Sequence, residues 1–194
     1  MIKRHFHRRN LPHLYYNEGI YFITYRLSGS IPQSELKQFQ IKMNSPSLEE
    51  QERIFIEYDK LLDKNSAGLN YLSIPQIAEI CKQSINFFDG NDIRVLCFCI
   101  MPTHIHLVFE LINNEKSVSD VMASIKRFSA RKANEFLNRK GAFWQSESFD
   151  RLIRDEKELY FVIKYVLLNP VNAGLVGNYK EWSNTYCLPE FEVI

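Results

Sequence analysis

His104 and His106 stand two residues apart in MPTHIHLVFE, residues 101–110, inside an apolar run that follows a proline. Successive side chains of a strand point to opposite faces, so the two imidazoles share one face. Ile105, Leu107 and Phe109 take the other face and can fill a core. Two imidazoles about 6–7 Å apart along a strand can chelate one metal ion if a third ligand arrives from elsewhere. The pattern also fits two surface histidines that alternate with core residues. Cys97 and Cys99 lie just upstream. If Pro102 and Thr103 are the whole turn, Cys99 falls opposite His106, and a two-cysteine, two-histidine zinc site is open. A three-residue turn flips the faces and breaks that site. Zinc-finger spacing is absent, and both cysteines also read as small buried hydrophobes on a central strand.

A second pair with chemical content is Tyr165 and Asn169. Four residues apart on a helix, they share a face. A tyrosine nucleophile and an amide-oxygen ligand at that spacing could meet the histidine pair. Equally, Tyr165 reads as a core aromatic beside Val162, Val166 and Leu168, and Asn169 as the residue before a turn at Pro170.

These residues need elements to hold them. YFITYRLSGSIP, residues 21–32, is aromatic and β-branched and ends in turn residues, so it reads as a strand. Residues 34–64 are charged, with Ile54, Tyr58, Leu61 and Leu62 at helical spacing. They read as a helical insertion, about 34–66, in a single domain spanning 1–194. Residues 74–92 form an amphipathic helix with Ile77, Ile80, Cys81, Ile85 and Phe88 on one stripe, ended by Gly90 and Asn91. Residues 93–111 read as a hairpin around Pro-Thr. The helix 117–141 has Val121, Met122, Ile125, Phe128, Phe136 and Leu137 on its apolar face. Ser117 or Ser119 caps it and Gly141 stops it. Residues 142–154 read as a short strand or extended segment. The last helix, 155–170, has acidic residues in its first turn and Pro170 beyond its end. Strand, helix, strand, strand, helix, strand, helix is the order of an α+β, ferredoxin-like split βαβ sheet with a C-terminal helix.

The balance of 45% hydrophobic and 24% charged residues is that of a globular chain. No apolar run approaches the roughly 20 residues that span a bilayer. The N-terminal MIKRHFHRRN has no apolar segment behind it, so it does not read as a secretory signal. Four scattered cysteines then read as reduced thiols of a cytoplasmic, nucleoid-associated protein. The net charge of +1 means that any nucleic-acid partner is held by local patches.

IMPTHIHLVFEL, FWQSESFDRLIRDEKEL and YVLLNPVNAGLV, in that order, closely resemble the REP-associated tyrosine transposases of the single-tyrosine, His-hydrophobic-His superfamily. EYDKLLDKNSAGLNYLSIPQIAEI is also similar to a segment that many members carry before the hairpin. The resemblance runs from GIYFITYRLSG to AGLV. It implies that His104 and His106 are metal ligands, that Asn169 is a third, and that Tyr165 is the nucleophile. It further implies Mg²⁺ or Mn²⁺, a 5′-phosphotyrosine intermediate and a ferredoxin-like fold. Thr103 stands where members more often show Asn. It is expected to lie in the turn, clear of the ligand set.

The implied substrate is single-stranded DNA beside a hairpin, bound by a monomer or a homodimer with no membrane involved. Lys3, Arg4, Arg8 and Arg9 could clamp phosphates, or form a solvated terminus. Lys126, Arg127, Arg131 and Lys132 lie off the apolar face of helix 117–141, as a second backbone contact or an ordinary solvated face. Trp144 could stack on a base or sit in the core. Asp150 and Arg151 match the family motif without an evident role. The competing function is a non-catalytic nucleic-acid-binding module, with structural or zinc-binding histidines.

Overall fold

The computed structural model describes residues 4–8, 12–16, 19–31, 53, 56–58, 60–62, 69–113 and 115–192. A short hairpin pairs β1, Arg4–Arg8, with β2, Pro12–Tyr16. The main sheet holds β3 (Gly19–Arg26), β4 (Ile93–Ile100), β5 (His104–Leu111), β6 (Phe149–Ile153) and β7 (Thr185–Cys187). Its order is β6-β3-β5-β4-β7, with every pair antiparallel. Helix α1, Pro75–Asn86, links β3 to β4, and α2, Val118–Phe136, links β5 to β6. β3 and β4 thus flank β5 from either side, which is the split βαβ arrangement expected of the sequence. Helix α3, Glu156–Asn172, follows β6.

The sheet is buried on both faces. One face carries Tyr21, Ile23, Tyr25, Ile105, Leu107 and Phe109 against α1 and α2. The other carries Phe22, Cys97, Cys99 and Val108 against Val162, Ile163, Val166 and Leu167 of α3. A bulge between Val95 and Cys97 switches the alternation of β4 and sends both cysteines to the α3 face. Of the proposed helical insertion, Arg53, Ile56 to Tyr58, and Lys60 to Leu62 are helical, and Tyr58 and Leu62 join the α3-side cluster. The rest of that stretch lies outside the described residues.

Four sequence expectations change, and the choice between two capping serines is decided. Helix α1 stops at Asn86, before Gly90, whose φ of 77° serves the turn into β4. Helix α2 buries Ser129 and Ala133, whereas Phe128 and Phe136 are 39% and 51% exposed. Small residues there let the helix approach the sheet, which turns the two large rings outward. The same helix ends at Phe136 with Leu137 as its C-cap, ahead of Gly141, because Asn138 (φ 47°) follows and asparagine tolerates the left-handed conformation that terminates helices. Ser117, of the two serines considered, is the cap, in a reciprocal box with Asp120. Finally, Pro170 lies inside α3, which runs on to Asn172. A proline there forfeits the bond to the Val166 carbonyl. It sits in the last turn, buried beside Asn169, so packing outweighs one missing bond.

Candidate active site

The two-residue turn at Pro102 and Thr103 is closed by the Met101 N–H donating to the His104 carbonyl at 2.9 Å. It fixes the register of β5, with Cys99 opposite His106. Both histidines then face α3, and neither has exposed surface. This excludes the reading of two surface histidines. Their Nε2 atoms lie 3.0 Å apart. Each Nδ1 meets a threonine hydroxyl: Thr103 Oγ1 at 3.0 Å for His104, and Thr24 Oγ1 at 2.8 Å for His106. Thr103 does not lie clear of the ligand set as the sequence suggests; it is the partner that orients His104.

Burial sets the protonation of the pair. Desolvation lowers the His104 pKa to about 3. Desolvation, and then the neighbouring His104, holds His106 well below its ordinary value. Both rings are neutral at physiological pH. If the hydroxyls take the Nδ1 protons, both Nε2 lone pairs face one point, which is the usual way a second shell orients histidine ligands. Adjacent ligands of an octahedral ion at about 2.1 Å lie roughly 3.0 Å apart, so the pair fits one divalent cation.

The zinc alternative fares worse. Cys99 Sγ lies 3.7 Å from Met101 Sδ and accepts from Thr185 Oγ1 at 3.5 Å, while Cys97 pairs with Cys187. Among the described residues no third His, Cys, Asp or Glu joins a metal-holding cluster. All four cysteines are free thiols.

Helix α3 delivers the second half of the site. Asp155 caps it by accepting from the Glu158 N–H at 2.8 Å. The Tyr165 ring meets His106 edge-on, with centroids 5.8 Å apart, and Phe22 stacks on His106 at the same spacing. Tyr165 is half-buried, and Asn169 is buried one turn later. Arg151 on β6 pairs with Glu158, and Glu158 also holds the Arg154 N–H at 2.9 Å. Arg151 therefore ties β6 to the first turn of the helix that carries Tyr165, a role the sequence did not reveal. Asp150 sits opposite Ile23 in the sheet.

The expected DNA contacts divide. Trp144 is buried, donates its indole N–H to Ser129 Oγ at 2.9 Å, and packs edge-on against Tyr25 and Phe143. It is a core residue, unable to stack on a base from there. Lys126 is also withdrawn: its ammonium donates to the carbonyls of Gln145 and Ser146 and to Ser148 Oγ. Desolvation, then the nearby Arg26, lowers its pKa to about 8. Arg127 and Arg131 are exposed, with Arg131 over the Phe128 ring, and Lys132 pairs with Glu135. Arg4 and Arg8 end a β-strand, whereas Lys3 and Arg9 lie outside the described residues.

Sequence reasoning missed Thr24 and Arg26. Both are polar residues at alternate positions of an otherwise apolar strand, a detectable signal whose meaning depends on register. β3 sets Thr24 opposite His106 and Arg26 opposite His104.

Known proteins resemble parts of this chain in sequence and most of it in fold. Residues 73–167 match the family described as "Transposase IS200 like". This segment is similar to the IS200-like transposases. It includes His104, His106 and Tyr165, and ends two residues before Asn169. A Haemophilus influenzae protein named as a REP-associated tyrosine transposase is 31% identical over 98 residues. That match covers 46% of this chain and 56% of the relative, so the chain spans about half the length of that curated relative. The solved structure of a REP-associated tyrosine transposase bound to a REP hairpin superposes with a TM-score of 0.54 at 17% identity. It covers 92% of this chain and 80% of that one, and so shares the fold well beyond the IS200-like segment. Among the described residues no helix is long and apolar enough to cross a membrane.

Proposed function

We propose that this protein cleaves and rejoins single-stranded DNA at hairpin, REP-like sequences, with Tyr165 as the nucleophile. His104, His106 and Asn169 would hold a divalent cation, Mg²⁺ or Mn²⁺. The contact of the Tyr165 ring with His106, on the face where the two Nε2 atoms converge, carries this reading. When bound, the cation supplies Lewis-acid stabilisation of the charge that builds on the phosphate oxygens.

The chain's own residues do the rest. Thr24 and Thr103 fix both imidazole planes. Burial keeps the imidazoles neutral and water out. The Tyr165 oxygen attacks phosphorus and loses its proton; the 3′-oxygen leaves and gains one. The products are a 5′-phosphotyrosine and a free 3′-hydroxyl. Attack by another 3′-hydroxyl reverses the step and joins strands without hydrolysis. A free tyrosine is only ~0.1% phenolate at pH 7, so this site has to favour the deprotonated form.

The complete burial of His104 and His106 favours the competing reading of a non-catalytic DNA-binding module. One experiment separates the two. Labelled REP hairpin DNA is incubated with Mn²⁺ and resolved on a denaturing gel, and any adduct is mapped by peptide mass spectrometry. The expected result is an SDS-resistant adduct on Tyr165 that is absent from Tyr165→Phe, while hairpin binding persists. An adduct on Tyr160 or Tyr179, or one formed by the Phe variant, overturns the assignment. Hairpin binding without any adduct favours the module.

A further inference from the structure

Arg26 is a buried charge on the face that carries the neutral histidine pair. It is 3% exposed, at the end of β3, directly across from His104. Its Nε donates to the Tyr58 hydroxyl at 3.1 Å and its Nη1 to Ser30 Oγ at 3.2 Å. Among the described residues these two neutral hydroxyls are its partners, and no carboxylate pairs with it. A buried guanidinium is costly unless an anion or a full set of acceptors compensates it. Two hydroxyls supply dipoles for two of its five N–H groups, and among the described residues no anion pairs with the charge. Lys126 adds a second cation close enough to interact with Arg26, with Glu147 acting on Lys126 in the opposite sense but more weakly than Arg26. The end of the sheet beside the histidines is thus electropositive, with a planar donor fork suited to two phosphate oxygens.

We propose that Arg26 is a phosphate-binding residue of this site and receives a non-bridging oxygen of the scissile phosphodiester. The assignment rests on the function proposed above for Tyr165 and the histidine pair. The Tyr58 hydroxyl holds the guanidinium until DNA arrives, and the phosphate takes its place. Arg26 thereby contributes to the transition state rather than to overall DNA affinity, because the positive charge lies where negative charge grows.

Two measurements on the full chain test this. The first follows adduct formation on REP hairpin DNA with Mn²⁺. Arg26→Gln is expected to slow it about 100-fold, the size of losing one preorganised donor, and Arg26→Lys about 10-fold, with hairpin Kd within threefold of wild type. A neutral methylphosphonate at the scissile position should slow the wild type strongly and Arg26→Gln little further. Adduct formation by Arg26→Gln at the wild-type rate, or an undiminished methylphosphonate effect in that variant, overturns the proposal.

The second measurement does not depend on catalysis. Inorganic phosphate should raise the Tm of the wild type above that in chloride of equal ionic strength. Arg26→Met should lose that rise and, freed of a buried charge, melt no lower than the wild type without phosphate. Arg26→Lys, which keeps the charge, should retain part of the rise and serves if the Met variant does not fold. If the wild type forms no adduct, the reading of Tyr165 fails, and this second measurement alone decides Arg26. A phosphate-dependent rise abolished in Arg26→Met sustains an anion site there; no such rise in the wild type removes it.

Discussion

Two imidazoles whose Nε2 atoms stand 3.0 Å apart cannot both be charged, and burial presses each further toward the neutral form. That has a consequence for stability. The His104 pKa is about 3 in the folded protein and about 6.5 in an unfolded chain. Between those values the unfolded state binds more protons, so stability is complete above about pH 6.5 and falls as pH drops toward 3. Each pH unit in that window costs at most about 1.4 kcal/mol per histidine. Tm should therefore fall steeply from pH 6.5 to 4.5 in the wild type and more gently in His104→Gln/His106→Gln. Equal slopes in a calorimetric pH series would mean that the pair titrates freely. The same double variant should lose Mn²⁺ binding in a titration calorimeter, and unchanged binding would remove the proposed cation site.

Among the elements, α3 matters most, because it brings Tyr165 to a sheet it does not belong to. Its position depends on the Asp155 cap and on Glu158, which Arg151 reaches from β6. The side chains of Arg151 and Glu158 are 12% and 9% exposed, so this is a largely desolvated pair. Removing Arg151 leaves Glu158 with Arg154 as its remaining cationic partner, at a cost on the order of 1–3 kcal/mol. Arg151→Ala should lower the Tm by several degrees and slow adduct formation. Arg151→Met/Glu158→Leu should recover most of the Tm, since an apolar replacement of both partners restores packing. If the double variant is as unstable as the single one, the pair acts through other contacts. The first turn of α3 was legible from its acidic residues, but the clamp was not. Nothing local says that a strand arginine and a helix glutamate seven positions on will meet across a layer.

For the whole molecule, a net charge of +1 cannot hold DNA by bulk attraction. The proposed affinity must come from patches, and Arg127 and Arg131 form an exposed pair one turn apart on α2. Replacing both with Gln should make log Kd for a REP hairpin less steep against log salt, by about one for each phosphate no longer neutralised. An unchanged slope in a salt titration would place the DNA elsewhere. The sequence by itself determined the order of the elements from β3 to α3, because hydrophobic period and turn residues are local, but not the hairpin β1–β2 or the edge strand β7. It determined that His104 and His106 share a face, because alternation along a strand is geometric. It also put Tyr165 and Asn169 on one helical face. Only the tertiary structure decided what these pairs meet. The two-residue turn and the bulge in β4 set which face the cysteines share with the histidines. Pairing of β3 with β5 supplied Thr24 and Arg26 to the site. Packing consumed Trp144, which the sequence left open between core and base stacking, and Lys126, which it offered only as a surface residue. Register and burial are sums over interactions between segments far apart in the chain, so no short stretch contains them.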